Sequence, residues 1–160
     1  MKIGVVSDTH SLQIPPEVIK ALKETDMIIH AGDFCTPRDV ETFRRLKDFK
    51  GVHGNMDGAD VRQLLPRREI LAIEGVTIGI FHGEGPKDGI LDTVRNAFKD
   101  RKLDAVVFGH SHQPFNKLID GTLYFNPGSP NDMAFAPYRS YGILDIKYGK
   151  ITGQIIKLKG

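Results

Sequence analysis

The chain has 160 residues, 40% of them hydrophobic, which suits a single domain over residues 1–160 with one substantial core. Lysine and arginine total 22 against 20 for aspartate and glutamate, and the mixed signs leave no extended basic face for a long nucleic acid. No apolar stretch approaches the roughly 20 residues that span a bilayer, and no signal peptide precedes the first strand-like segment. The single cysteine, Cys35, fits a reducing compartment, so a cytoplasmic protein without a membrane partner is expected.

The first half of the chain alternates strand-like and helix-like segments. Short β-branched apolar runs predict strands, while Pro15, Pro16 and Pro37 suit the first turns of helices. The predicted elements are a strand over 2–7, a helix over 15–24, a strand over 27–31, a helix over 36–47 and a strand over 51–53. This βαβαβ order indicates a parallel sheet with helical crossovers.

The second half is mostly β. Glu74-Gly75, Asp120-Gly121 and Tyr148-Gly149 separate strand-like runs and indicate hairpins. The predicted elements are strands over 70–73 and 76–81, a helix over 88–99, and strands over 105–108, 115–119, 122–125, 141–146 and 150–158. Together the two halves predict an α/β fold in which two mixed sheets pack together with helices on the outside.

Residue types that bind metals follow five of the predicted strands. Taken singly, such an aspartate is more often a cap and such a histidine more often structural. The repetition is different, because four of the six histidines stand at these places and the carboxyl ends of strands gather at one crevice of an α/β sheet. The expected metal ligands are Asp8, His10, Asp33, Asn55, His82, His110 and His112.

The types of ligand in this set restrict the metal. Four imidazoles, two carboxylates and one amide, without a thiolate, suit divalent Mn, Fe, Co, Ni or Zn and disfavour an all-oxygen calcium site. Seven ligands are too many for one ion. They suffice for two ions if one carboxylate bridges them, with positions left open for water and phosphate oxygens.

The order of these motifs resembles the calcineurin-like metallophosphoesterases, above all their small single-domain phosphodiesterases. The matching segments are Asp8-x-His10, Gly32-Asp33, Gly54-Asn55-x-Asp57, His82-Gly83, Gly109-His110-x-His112 and the turn Asn126-Pro127-Gly128-Ser129. The resemblance implies a two-sheet αββα sandwich with a dinuclear metal site at the carboxyl ends of its strands, which agrees with the pattern of predicted elements.

The resemblance also implies a role for each matching residue. Asp8, His10 and His112 would bind the first ion. Asn55, His82 and His110 would bind the second, and Asp33 would bridge both. Asp57 is expected either to orient a ligand or to be a turn residue before Gly58.

The activity implied is hydrolysis of small phosphodiesters. Two divalent ions, manganese first with Ni, Fe, Co or Zn as alternatives, would share Asp33 and a bridging hydroxide that attacks phosphorus, with Asn55 holding one of the ions and Asp57 supporting the site. Family habit and exposed sheet edges make a homodimer plausible.

One position departs from the wider family. Many members have a histidine after the metal-binding asparagine that can protonate the leaving group, whereas this chain has Met56, and a thioether cannot donate a proton. His30 and His53 lie within predicted strands and are expected to be structural rather than replacements. Cys35 is expected to be a passive small residue.

A function of another class shares the same fold. The retromer scaffold subunit resembles this family but uses its surface for partner proteins and lacks a complete catalytic set. In this chain every expected ligand position holds a residue able to bind metal, which favours the enzyme.

Overall fold

The computed structural model describes residues 1–159. Side chains alternate between the two faces of each strand, and this alternation assigns them to different layers. Ile3 and Val5 of the first strand pack between two sheets, whereas Val6 packs outward against helices. None of the helices in these residues is long and apolar enough to cross a membrane.

The elements follow one another in this order: β1 (Lys2–Val6), α1 (Pro16–Lys23), β2 (Met27–His30), α2 (Pro37–Arg44), β3 (Phe49–Gly51), α3 (Ala59–Leu64), β4 (Arg68–Ile73), β5 (Val76–Phe81), α4 (Ile90–Ala97), β6 (Ala105–Val107), β7 (Phe115–Ile119), β8 (Thr122–Asn126), β9 (Ser140–Lys147) and β10 (Lys150–Lys157). They form two five-stranded mixed sheets, with strand orders β10-β9-β1-β2-β3 and β4-β5-β6-β8-β7.

The packing of apolar side chains confirms the predicted αββα sandwich. One cluster lies between the sheets and includes Ile29, Ile80 and Phe125. A second cluster packs α1, α2 and α3 on the outer face of the first sheet, and a third packs α4 on the outer face of the second. Strands β1, β2 and β3 are mutually parallel, as are β5, β6 and β8. The loops that follow these strands carry the polar motifs.

The predicted third strand is misplaced. It was expected over 51–53, but β3 ends at Gly51, which pairs with His30 at the end of β2. His53 therefore lies outside the sheet, where its backbone N–H donates to the Pro66 carbonyl. The loop from β3 to Asn55 is accordingly longer than the sequence suggested.

Helix boundaries also differ from the predictions. Helix α3 was not predicted, because its six residues bury only Val61 and give no periodic pattern. Helix α2 ends at Arg44 rather than at 47, and Leu46 instead forms a turn by donating to the Phe43 carbonyl. Helix α4 begins at Ile90 because Gly89, with φ of 81°, cannot continue a right-handed helix.

Candidate metal centre

The loops after β1, β2, β3, β5 and β6 bring all seven expected ligands to one edge of the sandwich. Asp8 is central: its Oδ1 atom lies 3.3 Å from His112 Nε2, 3.7 Å from His82 Nε2 and 3.8 Å from His10 Nε2. Ligands from the loops after β1, β5 and β6 therefore meet, although these strands belong to two different sheets. Two triads have ligand atoms close enough to share an ion: Asp8 with His10 and His112, and Asp8 with Asp33 and His82.

The remaining ligands extend the cluster toward Asn55. Asp33 Oδ2 lies 3.2 Å from His82 Nε2 and 3.8 Å from His10 Nε2, so this carboxylate stands between the two halves. Asn55 Oδ1 is 3.0 Å from His82 Nε2 and 3.2 Å from His110 Nδ1. The cluster thus has a half with His10 and a half with Asn55, joined by carboxylates.

The backbone of five cluster residues is strained. Asp8, His10, Asp33, His110 and His112 have φ values between 52° and 71°, in the left-handed region that non-glycine residues seldom adopt. Such residues cost about 1–3 kcal/mol each and persist only where surrounding contacts hold them, which is a frequent property of functional sites. One such contact is the hydrogen bond from the Asp8 N–H to the Gly32 carbonyl, at 2.9 Å.

Hydrogen bonds on the far side of each imidazole fix which nitrogen faces the cluster. His82 Nδ1 donates to the Ala31 carbonyl at 2.8 Å, and His110 Nε2 donates to the Gly85 carbonyl at 2.7 Å. In the neutral rings the other nitrogen then presents a lone pair toward Asn55 Oδ1. Two acceptors this close repel each other unless a cation or proton lies between them, so the arrangement suits a metal ion.

Asp8 shows the same demand for positive charge. Its Oδ2 accepts from Ser7 Oγ at 2.7 Å and from the His110 N–H at 3.1 Å. Its Oδ1 is buried and has no hydrogen-bond partner among residues 1–159. An unpaired buried carboxylate oxygen is costly, and a bound divalent cation would satisfy it.

Charge interactions shift the pKa values in the direction that this geometry predicts. Burial raises the pKa of Asp8, but the neighbouring His82 and His112 outweigh it and hold the pKa well below its ordinary value. Burial lowers the pKa of His82, yet Asp8 and Asp33 together raise it to about 9. The carboxylates thus favour positive charge at the centre of the cluster.

Asp57 lies beside the cluster and binds backbone. Its carboxylate is buried and accepts from the N–H groups of Gly54 at 2.8 Å, Asp33 at 2.9 Å and Cys35 at 2.7 Å. Both oxygens are occupied by these bonds, which tie the loop of Asp33 to the loop of Asn55. These contacts are those that the first of its two expected roles, orienting a ligand, would require, and that role stays a prediction.

Sequence reasoning missed Asp132. Its Oδ2 atom lies 2.6 Å from His112 Nδ1, and its carboxylate also accepts from the N–H groups of Ala134, Phe135 and Ala136. Burial raises the pKa of Asp132, but the Phe135 N–H and His112 lower it to about 2, so the group is charged at neutral pH. No periodic or motif signal in the sequence marks this contact, because Asp132 follows its histidine by 20 residues.

Met56, His30 and Cys35 lie around the cluster without being expected ligands. Met56 exposes 57% of its surface, and its backbone N–H donates to Asp33 Oδ1 at 2.8 Å. His30 is buried, stacks on Phe34 and has Nε2 3.0 Å from Thr9 Oγ1, which confirms a structural role. Cys35 Sγ lies 3.9 Å from His10 Nδ1, and burial together with Asp57 raises the pKa of the thiol.

The chain is similar in sequence to known proteins. The chain is 34% identical to a probable metallophosphoesterase of Methanothermobacter thermautotrophicus, over 98% of this chain and 92% of that protein. It is 27% identical to a phosphodiesterase of Methanocaldococcus jannaschii, over 80% of this chain and 83% of that one.

Solved structures agree. A Thermotoga maritima protein, determined by solution NMR, superposes with a TM-score of 0.76 at 33% identity over 98% of this chain and 99% of that one. Vps29 from Entamoeba histolytica gives a TM-score of 0.78 at 21% identity, over 99% and 100% of the two chains. An archaeal phosphodiesterase gives 0.72 at 24% identity, over 98% and 100%. The last two likenesses show a common fold.

The family assignment follows from the extent of these matches. The family model of the calcineurin-like phosphoesterase superfamily domain matches residues 1–149, a range that includes every expected ligand. The chain therefore belongs to the calcineurin-like phosphoesterase superfamily, whose members include the probable metallophosphoesterases that it resembles in sequence.

Proposed function

We propose that this metallophosphoesterase is a phosphodiesterase that works with two divalent ions on small phosphodiesters. The observation that carries the proposal is the buried Asp8 Oδ1 atom, which makes no hydrogen bond within the described residues 1–159 and lies within 3.8 Å of imidazole nitrogens from three different loops. A purely structural aspartate in this position would be expected to find a donor.

The proposed ligand sets follow the two halves of the cluster. Asp8, His10 and His112 would hold one ion, Asn55, His82 and His110 would hold the other, and Asp33 would contact both. Ions held in this way would lower the pKa of bound water and neutralise charge on the phosphate oxygens. The nitrogen and oxygen donors support manganese as the first choice, with Ni, Fe, Co or Zn as alternatives.

The protein's own groups keep this cluster in place. Asp132 and the Ala31 and Gly85 carbonyls fix the faces of His112, His82 and His110. Met56 contributes a backbone N–H that donates to Asp33, but its side chain has no acidic proton to give. The leaving alcohol therefore departs without a proton from this position, which favours diesters with acidic alcohols.

Two relatives support diesters over monoesters. The similar protein of Methanocaldococcus jannaschii and the archaeal structure of the same fold are both named phosphodiesterases. A cavity of about 500 Å³ beside Asp8, His10 and His112 supports a small substrate.

The test is metal-dependent hydrolysis of bis(4-nitrophenyl) phosphate, compared with 4-nitrophenyl phosphate, after removal and return of manganese. Activity should require metal and favour the diester. Asp33→Ala should lose both ions and at least about a hundredfold in kcat/KM, because metal activation of the reaction is worth several kcal/mol. Asp8→Ala should keep part of one ion.

His53→Ala is the matched control, since His53 lies outside the cluster, and it should keep both metal and activity. Asp33→Asn keeps the shape of the side chain and guards against misfolding. Two equivalents of metal in folded Asp33→Ala, measured by elemental analysis, would contradict the shared ligand. Metal-loaded protein inactive on every ester tested would contradict the phosphodiesterase.

The second candidate is a scaffold that binds partner proteins. The Vps29 structures share the fold at 17–21% identity, and one of them contains zinc, so metal binding alone does not separate the two functions. Hydrolysis does. A cytoplasmic location and a homodimer stay predictions from the sequence.

A further inference from the structure

An apolar wall stands beside the His10 half of the cluster. The lining of the cavity of about 500 Å³ includes the expected ligands Asp8, His10 and His112 and the large apolar residues Leu12, Met133 and Phe135. These three apolar residues are 56%, 76% and 81% exposed. Single exposed apolar residues are ordinary on a protein surface, but several large ones around one polar cleft indicate a binding surface.

Hydrogen bonds order the loop that carries Met133 and Phe135, two of the three residues of this wall. The Asp132 carboxylate accepts from the N–H groups of Ala134, Phe135 and Ala136, and Ser129 Oγ accepts from the N–H groups of Asn131 and Asp132. The same Asp132 carboxylate holds His112. One residue thus fixes both a proposed metal ligand and the loop that presents Met133 and Phe135.

Positive charge lies beside the wall as well. Lys87 Nζ is 5.7 Å from the centre of the Phe135 ring. A phosphodiester is an anion with two organic substituents. A cation and an ordered apolar wall next to a cluster suited to phosphate match the charged and the apolar parts of such a ligand.

We infer that Leu12, Met133 and Phe135 form a subsite for a ring-bearing substituent of the phosphodiester. The inference rests on the proposed function, because it assumes that the cluster holds the phosphate. A small ligand is favoured over a partner protein because the cluster and the wall line one and the same cavity. Rings gain from packing on an aromatic face, so the substituent is expected to be aromatic, as in an aryl or nucleoside ester.

The test uses inhibitors that cannot be hydrolysed, on manganese-loaded protein. Inorganic phosphate and methyl-, phenyl- and 1-naphthylphosphonate are compared by isothermal titration calorimetry, and as inhibitors where the enzyme turns over. Affinity should rise with ring size. Phe135→Ala should weaken the naphthyl compound on the order of fivefold to tenfold, as expected for losing one aromatic contact, and should leave phosphate unchanged.

Met133→Ala should act in the same direction, and Tyr148→Ala, which removes a fully exposed aromatic residue in the β9–β10 hairpin, is the matched control. Equal affinity for methyl- and naphthylphosphonate would overturn the subsite while leaving the phosphate site intact. An equal loss for phosphate and naphthylphosphonate in Phe135→Ala would overturn it too. If neither phosphate nor any phosphonate bound, the proposed function itself would fail.

Discussion

At the scale of single residues, close contacts beside the ligands leave no room for larger side chains. A Cβ atom at Gly54 would lie 2.7 Å from the Asp33 backbone nitrogen and would overlap Asp33 Oδ1. A Cβ atom at Gly109 would lie 2.7 Å from Asp8 Oδ2. Both glycines let a carboxylate ligand approach the neighbouring loop, a role of glycine in many tight sites.

We expect Gly54→Ala to weaken metal binding, because the added methyl group must displace Asp33 from its place between the two halves of the cluster. Metal content after dialysis, measured by elemental analysis, should fall toward one equivalent or fewer. Gly58→Ala is the control in the same loop, since in the described structure its Cβ would meet nothing within 4 Å. Full retention of two equivalents in Gly54→Ala would mean that Asp33 is not a required ligand.

At the scale of elements, the strands supply rigid ends and the loops supply the ligands. Each parallel strand points its carboxyl end to the same edge, so short loops suffice to bring distant residues together. The loop after β8 is different, because it contributes no expected ligand but holds His112 through Asp132. Loops on a rigid scaffold commonly carry function in this way.

Asp132→Asn should reduce affinity for the ion held by His112 by about 10–100-fold, because the negative charge that orients and polarises the imidazole is lost. Metal titration of the chelator-treated protein would measure this change, with the second ion affected less. Asp120→Asn, at the exposed hairpin between β7 and β8, is the control. Unchanged affinity would show that the charge of Asp132 is not needed to hold His112 and that Asp132 serves only its own loop.

At the scale of the whole molecule, we expect metal binding at this site to stabilise the fold. Strands from both sheets contribute ligands, so an ion at this edge fastens the two layers to each other. A ligand that binds only the folded state adds RT ln(1 + [L]/Kd), about 2.7 kcal/mol at a hundredfold excess over Kd. Removal of the metal leaves a cluster whose stability depends on protons instead.

We expect chelation to lower Tm, and to lower it more as pH rises. The pKa of His82 in the folded, metal-free protein is raised to about 9, above its usual 6.5, so its stabilising charge is fully present below pH 6.5 and is lost as pH rises through 9. Metal-loaded protein needs neutral imidazoles and should hold or gain stability over the same range. Calorimetry at pH 6.5, 7.5 and 8.5, with manganese or with chelator, measures the difference in Tm between the metal-loaded and the metal-free protein.

A Tm that does not change after verified metal removal would contradict a structural link between the ions and the two sheets. It would instead favour the scaffold function, for which the cluster is dispensable. A difference in Tm that narrows with rising pH would show that His82 does not carry the proton in the metal-free state.

The sequence by itself determined most of the strands, the layers and the identity of the candidate ligands. Strand-length apolar runs ending in Asp8, Asp33 and His82 were sufficient, because burial imposes a period on the chain and parallel strands gather their ends at one edge. The resemblance to the calcineurin-like metallophosphoesterases came from the same motifs. These features are local in sequence, or are ordered along it, and can be recognised without coordinates.

Only the tertiary structure decided how the ligands are held. The Asp132 contact to His112 and the Ala31 contact to His82 join residues 20 and 51 positions apart through single hydrogen bonds, which leave no periodic pattern. The end of β3 at Gly51 is set by its pairing with β2, and the short helix α3 buries only Val61, so neither left a pattern in the sequence. Contacts of this kind are chosen by packing in three dimensions, so the sequence alone could not place them.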